Sequence, residues 1–504
     1  MKDSIFKEKY IRGMILVIAS IVSLYSFYFF LSNKVYLIGS DTYYYMSIAD
    51  SIIQSGKMEN LNSIPSTPIK TPQNGVAFIF ALLSLLGISH RDGQLVIVFI
   101  NYIVYLGGIY PLFMITKHLG LTKKLPLVSL LGVYLSAWHV YRINLLPIND
   151  GIFNSLILWL VYFLIKLFHD KSTLRLWPIS RSEFQIILCV ALLTILSIQF
   201  RLNTVLVIGS SIISGILVKN YRATIISFLL SCLMLLFFLS IFYFLAGVPS
   251  FKVSENFHEL FTSINVYNLK MVLWKILPGL IASLSPLSNP LVTICFTIFP
   301  LSMLFCLYRG YINQNFSMIF VALICLTGIL FTFKFKNARV IFYTFPFFYL
   351  LLLGNRKIKI FAYSFVLLVF LQSFQSFYQG FWRGPASQLF LYIYENNLSL
   401  PNRDVLLLTA DSPHTYFLFN TRAFRGELNN DGIIIIPDIM TWKSIENKGN
   451  VFVLGDSTYI NSAYSQVNEM ASTNGYKLES NFLTPDLDEF EGWALVKLKI
   501  TPKI

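Results

Sequence analysis

Apolar runs of about 20 residues, separated by short polar connectors, repeat through residues 1–380. A run of that length lets an α-helix cross the hydrocarbon core of a membrane, which is about 30 Å thick. The pattern therefore predicts a polytopic α-helical membrane protein. The predicted spans are residues 13–31, 94–116, 125–147, 151–168, 184–200, 202–218, 223–247, 291–308, 316–335, 340–353 and 360–378.

Composition and charge support this class. The chain is 55% hydrophobic and only 13% charged, whereas a soluble domain carries about 25% charged residues. The five cysteines fall in or beside apolar runs without a CxxC pair, which indicates packing residues rather than a disulfide or metal framework. The net charge of +14 fits basic cytoplasmic connectors facing anionic membrane lipids. Because the basic residues are dispersed between spans, nucleic acid is excluded as a partner.

The basic connectors predict the orientation of the chain. Four basic residues precede the first span, so the N-terminus should be cytoplasmic. The later clusters are cytoplasmic only if 94–116 runs inward, and then the apolar stretch 76–88 cannot cross. At about 20 Å it is also too short for a core of about 30 Å. We expect 76–88 and 41–56 to lie on the outer face, giving about eleven spans and an outer C-terminus. The alternative is that 76–88 spans and every later loop inverts.

Two acids are expected at the outer membrane surface. Asp41 lies ten residues beyond the end of the first span, and Asp150 stands at the head of the apolar run 151–168. An acid at membrane depth is costly and usually functional. For Asp150 the alternative is structural, because a carboxylate also suits the N-terminus of a helix.

Three cations, Lys334, Lys336 and Arg339, interrupt two apolar runs on the predicted outer face. This placement opposes the usual bias of basic residues toward the cytoplasm. A bound phosphate would compensate for it, because Arg binds phosphate with two parallel hydrogen bonds and Lys supplies a point charge. The alternative is nonspecific pairing with lipid headgroups.

In this order along the chain, the motifs resemble those of the GT-C membrane glycosyltransferases, of the protein O-mannosyltransferase and aminoarabinose transferase kind. The matching positions are Asp41 with Tyr44 and Tyr45, Lys70 before Pro72, Arg142 before Asp150, Arg201 at the start of the sixth span, and Lys336 with Arg339 before Pro346. The resemblance covers about 1–380. It implies a conserved-type module at 13–247 with two juxtamembrane helices, followed by additional spans at 291–378.

The resemblance also implies a function, which is the transfer of a sugar from a polyprenyl-phosphate donor at the outer membrane face, with inversion. The acceptor would be a lipid, a glycan or a protein, and the membrane would be the plasma (inner) membrane. Asp41 and Asp150 would be catalytic, with Asp41 as the general base. Asp150 would orient the acceptor or, with Asp41, help to bind a divalent metal such as Mg or Mn; no other cofactor is implied. The expected donor-phosphate ligands are Lys70, Arg201, Lys336 and Arg339, and the expected substrate-binding residues are Tyr44, Tyr45 and Arg142.

Residues 385–504 have a different pattern. Short β-like runs at 405–409, 433–436, 451–454 and 493–498 alternate with helix-compatible stretches such as 463–474. This predicts a small α/β domain, extracytoplasmic in the topology above. The sequence Leu454-Gly455-Asp456-Ser457 is interpreted as a turn rather than a phosphate loop, because it lacks a glycine-rich signature.

Two other functions remain open from the sequence. An O-antigen polymerase or ligase also has many spans and outer arginines. A secondary transporter would show internal repeats and broken helices at mid-membrane, and neither is evident. The chain has no HExxH, GxSxG or kinase signature. It also lacks Trp-Trp-Asp, which weighs against an asparagine-linking oligosaccharyltransferase.

Overall fold

The structure is a computed structural model. The residues it describes are 2–37, 40–61, 67–68, 74–121, 124–168, 180–201, 203–246, 303–335, 343–354, 366–367, 369–371, 373–374, 385–396, 398, 400, 406–409, 424–425, 427–428, 434–435, 441–484 and 492–503.

Helices dominate the described part of the chain. They are α1 (Lys2–Ser32), α2 (Ser40–Ser55), α3 (Gly75–Leu85), α4 (His90–Gly107), α5 (Ile109–His118), α6 (Lys124–Ser136), α7 (Trp138–Leu145), α8 (Asn149–Phe168), α9 (Arg181–Phe200), α10 (Thr204–Leu217), α11 (Tyr221–Ala246), α12 (Phe316–Phe335), α13 (Phe345–Gly354), α14 (Pro385–Glu395), α15 (Trp442–Lys448) and α16 (Ser457–Thr473). The strands are β1 (Glu59–Asn60), β2 (Thr67–Pro68), β3 (Leu406–Thr409), β4 (Phe424–Arg425), β5 (Glu427–Leu428), β6 (Ile434–Ile435), β7 (Asn450–Asp456), β8 (Tyr476–Phe482) and β9 (Trp493–Pro502).

The predicted helical membrane class is confirmed at this level. By length and composition, four helical stretches in the described part are apolar and long enough to cross a membrane: Tyr10–Ser32, His90–His118, Asn149–Phe168 and Arg181–Phe200. Shorter apolar helices accompany them. The count of about eleven spans stays a prediction.

Two predicted stretches matter for the site: one predicted span is divided in the structure, and one stretch that was predicted not to cross is a short helix. The span predicted at 125–147 is divided into α6 and α7 at Ala137, whose backbone is extended with ψ of 91°. The stretch predicted at 76–88 is the helix α3, which has 11 residues. That length gives about 16 Å, too short for a membrane core of about 30 Å. Its location on the outer face stays a prediction.

The chain forms two compact units. The first unit contains Met1–Tyr36, Thr71–Val76 and Gln94–Gly380, and the second contains Leu37–Lys70, Ala77–Gly93 and Phe381–Ile504. The domain boundary predicted between 1–380 and 385–504 remains a proposal.

The helix α8 lies in the interior of the first unit. Of its most apolar 18-residue stretch, 78% is buried, and it packs against α5, α7 and α9. Its sequence is apolar around almost the whole circumference, which is the pattern of a helix surrounded by other helices. Polar side chains on such a helix need partners, and they are concentrated in its first two turns.

A five-stranded sheet with the order β4-β3-β7-β9-β8 lies in the second unit. Strand β3 is parallel to β4 and β7, and β9 is antiparallel to β7 and β8. Alternate residues of a strand point to opposite faces, so the sheet is covered on both. One face packs against α16 and the other against α14 through Leu389, Phe390 and Ile393.

Candidate active site

An ion pair lies at the head of α8. Asp150 is in the first turn of the helix, where the helix dipole favours a carboxylate. Its Oδ2 accepts a hydrogen bond of 2.5 Å from Nη2 of Arg201. The side chains of Asp150 and Arg201 are 6% and 20% exposed, so little water screens the pair. Low exposure strengthens the attraction and fixes the guanidinium in one orientation.

Arg201 lies in the short connection between α9 and α10. It directly follows the last residue of α9 and has an extended backbone at φ −154° and ψ 134°. Its amide still donates to the Ser197 carbonyl, so the backbone of Arg201 is held by the last hydrogen bond of the helix. The Arg201 Nε is buried and has no hydrogen-bond partner among the described residues.

Asparagines surround the head of α8. Asn101 Nδ2 donates to the Leu146 carbonyl at 2.7 Å, and Asn154 Nδ2 donates to Asn144 Oδ1 at 2.7 Å. A side-chain carbon at Gly151 would collide with the backbone of Asn144. These contacts hold the turn between α7 and α8 tightly, which fixes the direction of the Asp150 carboxylate.

The start of α3 contacts the same turn. Asn149 Oδ1 accepts a hydrogen bond of 3.1 Å from the Val76 amide, which satisfies one of the otherwise unpaired amides at a helix N-terminus. A Cβ at Gly75 would lie 2.6 Å from the ring of Phe200. Gly75 therefore allows an approach that any other residue would block. Asn149 and Phe200 are the sequence neighbours of Asp150 and Arg201. The first residues of α3 therefore lie beside the residues that precede the ion pair in the chain.

The predicted substrate residue Arg142 lies in the last turn of α7 and is half-buried. Its carbonyl accepts a hydrogen bond from the Leu146 amide at the end of the helix. Its placement brings it to the turn before α8, in the same unit as the ion pair.

Asp41 lies in the second unit, in the first turn of α2. Tyr44 follows one turn later, and its ring contacts that of Tyr45 at 5.8 Å between centroids. Burial, and secondarily the Asp41 carboxylate, raise the pKa of Tyr44 above its ordinary value of 10.0. The Tyr44 phenol is therefore a hydrogen-bond donor at neutral pH. Tyr43, which the sequence analysis did not single out, donates to the Leu37 carbonyl at 2.6 Å and fixes the entry to the helix.

A second acid of α2 has a partner that sequence did not predict. Asp50 Oδ1 lies 2.7 Å from Nε2 of His90, the first residue of α4. Asp50 lies in the stretch 41–56 that is expected on the outer face, and nothing in the sequence pairs it with a residue 40 positions away.

Three predicted phosphate ligands, Lys70, Lys336 and Arg339, lie outside the described residues. Their roles stay predictions. Of the four, Arg201 is the one the structure describes.

The described residues do not fit the suggested metal site. Within the described ranges no group of three or more His, Cys, Asp or Glu side chains could hold a metal ion. Asp150 already faces the cation of Arg201, and a second cation at the same carboxylate would be repelled. The reaction proposed below has no step through a metal.

The segment Leu454-Gly455-Asp456-Ser457 forms the junction between β7 and α16. Asp456 Oδ1 accepts a hydrogen bond of 2.8 Å from the Tyr459 amide and caps the helix. The carboxylate thus takes the place where an anion would bind at a helix N-terminus. The segment predicted as a turn is therefore the end of a strand followed directly by a helix, and its carboxylate caps that helix.

The fold of the chain is similar to the folds of two known proteins, ArnT and an archaeal oligosaccharyltransferase. ArnT from Cupriavidus metallidurans in the apo state matches with a TM-score of 0.58 at 11% identity, over 96% of this chain and 98% of that one. The same protein bound to undecaprenyl phosphate matches with a TM-score of 0.57 at 11% identity, over 96% and 97%. The Archaeoglobus fulgidus oligosaccharyltransferase in complex with Zn and sulfate matches with a TM-score of 0.52 at 12% identity, over 94% and 72%. No protein-family model and no curated protein matches the sequence.

Proposed function

We propose that this protein is a membrane glycosyltransferase that moves a sugar from a polyprenyl-phosphate donor to an acceptor at the outer face of the plasma (inner) membrane. The observation that carries the proposal is the fold, which matches ArnT over 96% of the chain, including a structure of ArnT bound to undecaprenyl phosphate. Fold alone does not define an activity. The proposal therefore also relies on the residues at the heads of α2 and α8.

The proposed reaction is a single displacement. The hydroxyl oxygen of the acceptor attacks the anomeric carbon of the donor sugar and forms the new glycosidic bond. The bond from that carbon to the phosphate oxygen breaks, and the polyprenyl phosphate leaves with the bonding electrons. Asp41 accepts the proton of the hydroxyl as general base. One displacement inverts the configuration at the anomeric carbon.

Arg201 would bind the leaving phosphate, together with Lys70, Lys336 and Arg339. Its Nη2 is engaged by Asp150, and its buried Nε has no hydrogen-bond partner among the described residues. The guanidinium is thus fixed through Nη2, while its Nε–H remains able to donate to a phosphate oxygen. Charge-assisted hydrogen bonds of this kind to phosphate are strong. Asp150 would act by orienting this guanidinium. As charge develops on the phosphate, a cation already in place stabilises the transition state.

Tyr44, Tyr45 and Arg142 would contact the donor or the acceptor. Tyr44 supplies a phenol that stays protonated, so it can donate to a sugar hydroxyl next to the base. The acceptor would be a lipid, a glycan or a protein. The N-terminus would be cytoplasmic, and residues 385–504 would form an extracytoplasmic domain.

A transfer assay tests the function. Membranes containing the protein are incubated with a panel of labelled undecaprenyl-phosphate hexoses and pentoses, and labelled products are separated from the donor. The wild type should consume at least one donor, and Asp41→Asn should lose about 10²- to 10⁴-fold of that rate, the contribution typical of a general base. Asp92→Asn is the matched control, because Asp92 is an exposed acid in the first turn of α4 that pairs with Ser89 at 2.6 Å. An Asp41→Asn variant that keeps more than about a tenth of the wild-type rate would rule out the base assignment.

A further inference from the structure

Residues of the first loop belong to the same compact unit as the C-terminal segment. The second unit contains Leu37–Lys70, which includes α2, and Ala77–Gly93, which includes most of α3 and the start of α4. Its third part is Phe381–Ile504, with the sheet and the helices α14 to α16. The helix that carries Asp41 is thus packed with the C-terminal domain in one body.

His90 fixes α2 from one side. Its Nε2 lies 2.7 Å from Asp50 Oδ1, and its Nδ1 lies 3.4 Å from the Ser84 hydroxyl of α3. The ring of Phe80 stands edge-on to the imidazole at 5.9 Å. The imidazole is therefore held by two helices at once, and its orientation determines where Asp50 sits.

Asp50 and Asp41 lie at different places on α2. They are separated by about two and a half helical turns, which puts them on opposite faces of the helix. A contact that holds Asp50 therefore determines the rotation of α2 about its axis. The direction of the Asp41 carboxylate depends on that rotation, because a small turn of the helix moves the carboxylate sideways.

The residue after His90 contacts the C-terminal domain. The guanidinium carbon of Arg91 lies 4.1 Å from the ring centroid of Tyr394, within the range of a cation–π interaction. Tyr394 is in α14, whose residues Leu389 and Ile393 are buried against the sheet. Tyr394 is therefore held by a folded core and not by a flexible segment.

We infer that the C-terminal domain positions the helix that carries the proposed base, through Tyr394, Arg91, His90 and Asp50 in series. The inference rests on the proposed function, since it assigns these four as positioning residues for Asp41. None of them contacts a reacting atom in this role. The domain would thus influence the reaction through the position of α2.

Two substitutions at Tyr394 separate the positioning role from an effect on overall stability. Tyr394→Phe keeps the ring that Arg91 contacts, and Tyr394→Leu removes it. Arg91→Gln removes the cation from an exposed position, so it should fold even if Tyr394→Leu does not. We expect amide hydrogen exchange in residues 40–55 to accelerate about 2- to 5-fold in Tyr394→Leu and Arg91→Gln, the factor that corresponds to a cation–π contact. Tyr394→Phe should exchange like the wild type.

The double variant and the transfer assay complete the test. Arg91→Gln with Tyr394→Leu should exchange no faster than either single variant, because both remove the same contact. The transfer rate at saturating donor should fall by a similar factor while the KM for the undecaprenyl-phosphate sugar changes little, since positioning acts on the chemical step. Equal exchange and equal rates in Tyr394→Leu and Tyr394→Phe would overturn the inference. So would faster exchange spread equally over α8, which would indicate a loss of global stability.

The two proposals fail in different ways. If the wild type transfers no sugar from any donor while residues 40–55 respond as expected, the glycosyltransferase function is wrong and the coupling of α14 to α2 stands. If transfer occurs and the exchange of residues 40–55 ignores Arg91 and Tyr394, the function stands and the positioning role is wrong.

Discussion

Arg201, the residue that follows α9, and Asp150, in the first turn of α8, are joined by a contact of 2.5 Å between Nη2 and Oδ2. They are 51 positions apart in the chain. Each side chain is mostly buried, so each depends on the other to offset the cost of leaving water. The pair thus stabilises the contact between the two helices. In the proposed reaction it also orients the guanidinium that binds the phosphate.

Removing both partners of this pair should cost less stability than the two single losses added together. We expect Asp150→Asn and Arg201→Gln each to lower the free energy of unfolding, by up to about 3–5 kcal/mol, because each leaves a partner uncompensated. The double variant should be less destabilised than the sum of the two. Thermal unfolding in detergent measures all three. Strict additivity would show that the two side chains do not interact in the folded protein.

A second ion pair of the same unit supplies the control. Glu183 Oε1 lies 3.1 Å from Nη2 of Arg222, and no role in transfer is proposed for either residue. Glu183→Gln should lower stability but leave the transfer rate per folded molecule unchanged. Asp150→Asn should lower that rate even where the protein is folded, since Arg201 loses its orientation. Equal rates for the two variants would leave Asp150 with a structural role only.

The helices could be predicted from sequence because they depend on local patterns. A continuous apolar run such as that of α12 allows few alternatives to a buried helix, and the first-turn positions of Asp41 and Asp150 follow from where polar residues give way to apolar ones. The break at Ala137 was not predictable in this way. Neither a proline nor a glycine marks it, and we have no physical account of it.

The contacts of the site could not be predicted because they depend on packing between distant helices. The sequence predicts that Arg201 lies between two spans, but it does not predict that its guanidinium contacts Asp150 at the head of α8. The bond from the Val76 amide to Asn149 and the pair of Asp50 with His90 likewise join separate helices. A buried asparagine in an apolar helix, such as Asn101, is a signal that such partners exist, but it does not identify them.

Tyr44 should stay protonated throughout the working pH range. Burial and the Asp41 carboxylate raise its pKa above 10.0, so the folded state favours the neutral phenol. Its contribution to stability is complete below the unfolded value and is lost as the pH rises through the folded one. We expect Tyr44→Phe to lower the transfer rate about 2- to 12-fold through the lost hydrogen bond, with an unchanged pH profile between about pH 6 and pH 9. An alkaline decline below pH 9 that disappears in Tyr44→Phe would contradict this assignment.

The predicted topology places the two ends of the stretch from α3 to α5 on opposite sides of the membrane. Leu86, which is 68% exposed, follows α3 and should be outside, and the exposed Lys117 at the end of α5 should be cytoplasmic. In a variant with the native cysteines replaced, an impermeant thiol reagent should label Leu86→Cys on intact cells. Lys117→Cys should react only after the cells are opened. Labelling of Lys117→Cys from outside would show that 76–88 crosses and that every later loop inverts, which would place Asp150 and Arg201 on the cytoplasmic side.

The cations of the segment 334–339 allow a test of specific phosphate binding against pairing with headgroups. Arg339 and Lys336 lie outside the described residues, and Lys334 is near the C-terminal end of α12. A site that grips phosphate through a planar guanidinium should not accept lysine in its place, because an ammonium cannot make two parallel hydrogen bonds. We therefore expect Arg339→Lys to raise the KM for the undecaprenyl-phosphate donor, and Arg339→Ala to raise it further.

Lys334 provides the comparison within the same segment. It carries the same charge two positions before Lys336, so Lys334→Ala changes headgroup attraction as much as Lys336→Ala does. Headgroup attraction is worth about 1 kcal/mol per basic residue and does not distinguish arginine from lysine. If the phosphate site is specific, Lys336→Ala and both Arg339 variants should weaken donor binding while Lys334→Ala has little effect. Equal, mild losses of donor binding in all four variants, with the same dependence on added salt, would indicate that the segment pairs with lipid headgroups. Arg201 would then be the remaining proposed ligand of the donor phosphate.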